Sequence, residues 1–196
     1  EADPGDRELT LIVDSREVHG SGKRGDVLHY LRKNKVNVEQ RALSLTDFIW
    51  VWKSKGDGNG ASSSTDKTPN EDLVSGWAIE RKTGPDLAAS IVDGRYDEQK
   101  MRLFNAPGLD RAFLLLEGVE MITPGSGSGK YVGSLPASTL STAAMHSMFH
   151  SGLSVIFSKN AKDSAQYLTA LHDVLTQKGF WTSVSGLYCS CFSMSS

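Results

Sequence analysis

The sequence predicts an α/β domain built on a central mixed sheet flanked by helices. Three observations carry this. Short apolar runs rich in β-formers recur at residues 9–13, 48–52 and 112–116. Segments with helical spacing lie between and after them. The 196 residues, 39% hydrophobic, suffice for one buried core.

The elements follow in order. Residues 1–7 are polar and are expected to form an N-terminal tail. Residues 9–13 read as a buried strand ending at Asp14. Val27, Leu28 and Leu31 share a helical face, which predicts a helix over 25–34. Residues 36–42 alternate as a second strand, and 48–52 form a third. Residues 53–75 hold only three aliphatic side chains, Ala61, Leu73 and Val74. That composition predicts a flexible excursion before a paired strand at 76–81. Pro85 suits a first helical turn, so a helix is expected over 85–93, with another over 96–105. Residues 112–116 read as a strand, 121–133 as a Gly/Ser loop, 135–150 as a helix, 153–157 as a strand and 163–176 as a last amphipathic helix. The folded unit therefore spans 8–181. Residues 182–196, with six serines, are expected to be a disordered tail. Antiparallel pairing is expected early and βα alternation later.

Composition narrows the function. No apolar run approaches the roughly 20 residues of a membrane span. The opening Glu1 reads as a trimmed end, and no signal-peptide pattern is present. Two cysteines, Cys189 and Cys191, exclude a disulfide scaffold and offer too few partners for a metal site. The net charge of −2 argues against a uniformly basic surface but permits segregated charge.

Acids mark the ends of the expected strands. Asp14 follows the first, with Glu17 three residues on. Asp47 precedes the third, Glu80 ends the fourth, and Asp86 opens the next helix. In Glu80-Arg81-Lys82, strand alternation puts Glu80 and Lys82 on one face and Arg81 on the other. A carboxylate beside an ammonium, joined by an aspartate from a neighbouring strand, makes a divalent-metal site for phosphodiester hydrolysis. Clustered carboxylates repel unless a cation such as Mg²⁺ or Mn²⁺ neutralises them. The ordinary reading stands beside this one: a strand-end acid is often a solvated turn residue, and the helix dipole alone favours Asp86.

At these residues the chain resembles the active-site signature of the XPF-type structure-specific endonucleases. The likeness runs through Val13-Asp14-Ser15-Arg16-Glu17, Asp47 and Glu80-Arg81-Lys82. It continues from Asp86 through Asp93-Gly94-Arg95-Tyr96 to Leu103. Phe48-Ile49-Trp50-Val51 and Leu135-Pro136-Ala137 are similar to the crossover junction branch, and Arg16 to the XPF branch. The resemblance covers about residues 9–180, making the unit at 8–181 a nuclease domain. It implies a restriction-endonuclease-like, PD-(D/E)xK core in which Asp47 and Glu80 hold Mg²⁺, with Mn²⁺ able to substitute. Lys82 would complete the catalytic set. Arg81 would give support or contact DNA, and Asp14, Glu17 and Asp86 would ligate metal or back the ligands. It implies cutting of 3′ flaps, replication forks and nicked Holliday junctions in repair and recombination, in the nucleus, leaving a 5′-phosphate and a 3′-hydroxyl. It also implies a heterodimer with a related non-catalytic subunit of the essential meiotic endonuclease type, docked on an apolar face of residues 135–180.

Two departures stand out. Thr46 occupies a position that is usually glycine, which predicts a locally altered turn. The 15-residue tail cannot hold the helix-hairpin-helix pair usual in the family, which bears on duplex binding and stable pairing.

Residues 16–41 carry seven Lys/Arg against three acids. Lys23, Arg24, Arg32, Lys33 and Lys35 are candidates for phosphate contacts, or a solvated helix face. Arg95, Lys100 and Arg102 are further candidates; Lys100 contacts DNA or pairs with Asp97 or Glu98. His146 and His150 lack the adjacent Glu of a zinc protease and are expected to be partly buried. The run from Pro124 to Lys130 departs from a phosphate loop at both ends, so no nucleotide cofactor is expected. Two functions remain, a metal-dependent nuclease and a non-catalytic DNA-binding or scaffold subunit. Retention of every motif acid favours the first.

Overall fold

A computed structural model describes residues 7–17, 26–55, 72–120, 129–151 and 153–178. The longer strands are β1 (Arg7–Asp14), β2 (Val38–Arg41), β3 (Phe48–Ser54), β4 (Leu73–Thr83), β5 (Arg111–Glu117) and, after a short hairpin of β6 (Tyr131–Val132) and β7 (Leu135–Pro136), β8 (Ser154–Ser158). The helices are α1 (Val27–Lys33), α2 (Gly84–Val92), α3 (Arg95–Phe104), α4 (Ala137–His150) and α5 (Ala161–Lys178). The centre is a six-stranded mixed sheet, ordered β2-β1-β3-β4-β5-β8. Strands β1, β3 and β4 are antiparallel neighbours, while β2–β1, β4–β5 and β5–β8 are parallel.

Strand alternation sorts the core. Leu11, Val13, Phe48, Trp50, Ile79 and Leu115 face one side, where α1 contributes Leu28 and Leu31 and α5 Leu168 and Leu175. The other side packs Leu114 and Leu116 against α2, α3 and α4, with Ile12, Ile49, Val51 and Ala78 in an adjoining cluster. Burying each of these large side chains contributes roughly 1.5–3 kcal/mol.

Several boundaries differ from expectation. Arg7 belongs to β1, where its guanidinium donates to the Trp52 carbonyl at 3.3 Å. The segment read as an excursion is strand at both ends, because β3 runs to Ser54 and β4 starts at Leu73. Leu73 and Val74 pair with Trp52 and Val51. The β6–β7 hairpin replaces loop and the first helical turn. Pro136, as N-cap of α4, delays that helix to Ala137. The second strand is an edge strand parallel to β1, since α1 carries the chain back between them. Residues 56–71, 121–128 and the tail at 182–196 lie outside the described residues.

Candidate active site

Three strands bring their acids level with one another. Asp14 N–H donates to the Asp47 carbonyl at 2.8 Å, and Asp47 N–H donates to the Ile79 carbonyl at 3.2 Å. The Asp47 side chain then accepts from Arg81 N–H at 2.8 Å. Main-chain bonds thus set Asp47 between the ends of β1 and β4, beside Glu80. Strand β4 ends because Thr83 caps α2: its hydroxyl accepts from Asp86 N–H at 3.3 Å, and Pro85 fills the first turn. Gly84 belongs there because a Cβ would stand 2.6 Å from Val132 Cγ1.

Thr46 strains nothing. Among the described residues only Lys35 is a non-glycine with positive φ. The buried Thr46 hydroxyl donates to the Ile79 carbonyl at 2.7 Å, helping clamp β3 to β4. Thr46→Gly should therefore cost about 1 kcal/mol through the lost hydrogen bond and greater unfolded-chain freedom. Urea unfolding checks this.

Asp47 and Glu80 line a cleft of about 330 Å³ with Arg16, Ser44, Leu45, Thr46, Gln99 and Arg102. Burial pushes the Asp47 carboxyl up to about 9; Glu80, Glu17 and Asp14 add to this, and the Arg81 N–H opposes it. Burial likewise pushes Glu80 up to about 7, with Glu17 reinforcing and Lys82, Arg102 and Arg16 opposing. Lys82 Nζ donates to Gln99 Oε1 at 2.9 Å, which fixes the ammonium near Glu80.

These raised values have a stability consequence. Stability is complete below the ordinary carboxylate range and falls as pH rises toward 7 and 9, because unfolding releases protons that the folded cleft retains. Without divalent metal, Asp47→Asn should raise stability at pH 8 by on the order of 2 kcal/mol. At pH 4 it should change stability little. Thermal melts in chelator at both pH values test the sign. The introduced amide keeps an oxygen for the Arg81 N–H.

The other candidates divide. The buried Asp14 carboxylate is held by the Arg16 backbone N–H at 2.9 Å and by the Arg16 guanidinium, so its side chain is already partnered. Arg81 turns to the opposite face, where its guanidinium grips both Glu117 oxygens at 3.0 and 2.9 Å and Glu17 at 2.8 Å. Glu17 stands between that pair and the cleft. Asp86 is exposed and its carboxylate accepts from the Thr83 hydroxyl, a capping arrangement that keeps it out of the cleft lining. Accordingly, among the described residues no group of three or more His, Cys, Asp or Glu side chains is disposed to hold a metal ion.

The expected DNA contacts also divide. Arg102 reaches the cleft wall, donating to the Ser44 carbonyl at 3.4 Å. Arg95 pairs locally with Asp93 at 2.7 Å. Lys100 is buried, pairs with Asp97 at 2.7 Å and lies over the Tyr96 ring, so it is not a surface contact. Arg32 and Lys33 stand in the last turn of α1. Because α1 runs back from the end of β1 to the start of a strand parallel to it, that turn lies at the opposite end of the sheet from Asp14. Lys35 follows them there, in a left-handed turn. Lys23 and Arg24 lie outside the described residues. His146 and His150 have rings stacked 4.4 Å apart on α4, and both are exposed rather than partly buried as expected, because that side of the helix turns to solvent. Sequence reasoning gave no role to Gln99, although it lies in the family-like stretch ending at Leu103, nor to Glu117, which has no local motif; only the tertiary fold brings them to Lys82 and Arg81.

Acids level at the ends of an antiparallel strand pair, with a lysine two residues beyond one of them, on a mixed sheet between helices, define a restriction-endonuclease-like domain. The chain belongs to the ERCC4 domain family, whose model matches residues 13–171. It is 36% identical over 168 residues to the "Structure-specific endonuclease subunit MUS81" of Homo sapiens, covering 86% of this chain and 28% of that protein. It is 30% identical over 179 residues to the "Probable crossover junction endonuclease mus81" of Dictyostelium discoideum, covering 88% and 18%. The chain thus spans less than a third of the length of these curated relatives. "XPF from Aeropyrum pernix" shares the fold, with TM-score 0.56 at 21% identity over 91% of this chain and 75% of that one. The same protein in "complex with DNA" aligns with TM-score 0.56 over 87% and 66%.

Proposed function

We propose that this chain is the catalytic nuclease domain of a structure-specific endonuclease that hydrolyses phosphodiester bonds in branched DNA, using Mg²⁺ or Mn²⁺. The observation that carries the reading is the Asp47–Glu80 pair, two carboxylates buried together beside Lys82, whose burial and mutual repulsion the nearby cations only partly offset. Such a pair fits a hard divalent cation. Mg²⁺ is commonly held by one or two carboxylates, with water and substrate phosphate completing its shell. Asp47 and Glu80 would hold it, and Glu17 would add negative charge from behind. When bound, the metal supplies charge neutralisation at the phosphate and activates water for attack. The Lys82 ammonium, steadied by Gln99, orients water or offsets phosphate charge. Arg16 and Arg102 attract the DNA backbone to the cleft mouth. Arg81 keeps Asp47 and Glu17 in position.

The names of the relatives support the substrate class, and retention of the motif acids favours a catalytic over a scaffold role. The reading extends to DNA repair and recombination in the nucleus, as one half of a heterodimer with a related non-catalytic subunit. The test is cleavage of a labelled 3′-flap duplex by this chain, alone and with such a subunit, in Mg²⁺, Mn²⁺ or chelator. Metal-dependent nicking near the branch is expected. Binding without nicking in either metal, with the subunit present, would overturn the catalytic role.

A further inference from the structure

An open groove of about 420 Å³ adjoins the acidic cleft and shares Leu45 and Arg102 with it. Its surface is mostly apolar: Leu45 on one side, Met101 on α3, and Ala106 and Pro107 just beyond that helix. Met101 is 48% exposed, so its side chain is open to a ligand in the groove. Asn105 stands at the same groove, and Arg102 spans the wall between groove and cleft through its bond to the Ser44 carbonyl.

We propose that this groove is a base-binding subsite, taking one unpaired nucleobase from the strand whose phosphate lies in the acidic cleft. The inference rests on the branched-DNA reading above and names how that site recognises a branch. Continuity decides the occupant. A strand whose phosphate enters between Arg16 and Arg102 carries its adjacent nucleotide past Arg102, and that nucleotide meets Leu45 and Met101. The chemistry matches at each level. A nucleobase offers a planar apolar face, which Met101, Leu45 and Pro107 cover, and a polar edge. The Asn105 amide both donates and accepts, so it suits the edge of any base. The Arg102 guanidinium is placed for the phosphate or for stacking.

The groove also explains selection by structure rather than sequence. A base inside a duplex is stacked on both faces and paired at its edge, so it cannot enter. A nucleotide at a flap or fork is free to splay out. Contact through an apolar face tolerates every base, as in single-strand binding generally.

The test uses the full 196-residue chain carrying Asp47→Asn, so that DNA is bound without being cut. Binding to a 3′-flap duplex is followed by fluorescence anisotropy. An abasic nucleotide is placed in turn at each of three positions flanking the branch. One position should weaken binding by about fivefold, the low end of what stacking on an aromatic ring provides, since here an aliphatic face takes the place of the ring. Met101→Ser, a neutral change at an exposed position, should weaken the intact flap by a similar factor and leave the abasic flap unaffected. A melting curve shows that the variant is folded. An Asn105→Ala variant serves as a second probe and should behave alike with smaller effect. If no abasic position matters, or if the abasic penalty persists in Met101→Ser, the groove does not bind a base, although the nuclease reading stands. If the Asp47→Asn chain, with the related non-catalytic subunit present, shows no preference for the flap over plain duplex, the substrate reading fails and takes this subsite with it.

Discussion

Glu80→Gln is expected to lower cleavage of a 3′-flap substrate by at least about 10³-fold, and Asp47→Asn to do the same. Each removes a charge from a site whose proposed cation contributes several kcal/mol of transition-state stabilisation. Since about 1.36 kcal/mol is a factor of ten, about 4 kcal/mol gives that loss. Neither change should unfold the domain. The amide oxygen introduced by Asp47→Asn can still accept from the Arg81 N–H, and both substitutions remove an unfavourable buried charge. Binding of branched DNA should persist. The measurement is single-turnover cleavage beside anisotropy binding. Cleavage at the wild-type rate by either variant would remove that residue from the catalytic role.

Glu117→Ala should be strongly destabilising, although it lies on the face opposite the cleft. Glu117 receives two bonds from Arg81 and a third from the Ser164 hydroxyl at 2.6 Å. The Arg81 and Glu117 side chains are each 14% exposed. Removing the carboxylate leaves the guanidinium with Glu17 alone, and breaking a buried pair from one side costs about 3–5 kcal/mol. For a domain of this size that lowers the melting temperature by roughly 6–20 °C. Glu117→Gln, which keeps an acceptor for Arg81, should lose less. Because the same guanidinium holds Glu17, the Ala variant should also bind Mn²⁺ more weakly, measured by calorimetry below its melting temperature. An Ala variant as stable as wild type would show that Glu17 alone satisfies Arg81.

The sheet was legible in the sequence wherever a strand was long and apolar. Residues 48–52 and 112–116 are unbroken, and 9–13 nearly so, because both sheet faces are covered: one by α1 and α5, the other by helices over β5 and by Leu43, Leu45 and Leu109 over β1 and β3. The hairpin at Tyr131–Val132 and Leu135–Pro136 was not, since two-residue strands have no period to detect. Asp47, Glu80 and Lys82 stood out through the resemblance and through alternation along β4. Arg32 and Lys33 match the solvated helix face that was their other reading, and local charge says nothing about which end of the sheet a crossover helix reaches. For Lys100 the pairing alternative is the one the structure shows, with Asp97, while its burial against Tyr96 has no signal in sequence. Asp86 carried its own signal, Thr83 three residues before it. That spacing is a helix cap, and in the structure the cap is what it forms.

The connection between β3 and β4 has a practical consequence. Asp47 sits at the start of β3, so Ser54 and Leu73, where the chain leaves and rejoins the sheet, lie at the far end of that hairpin. An affinity tag, dye or surface anchor inserted there would point away from the catalytic mouth. That makes this junction the natural handle for tethering the chain in single-molecule work, with the acidic cleft left open to a free DNA branch.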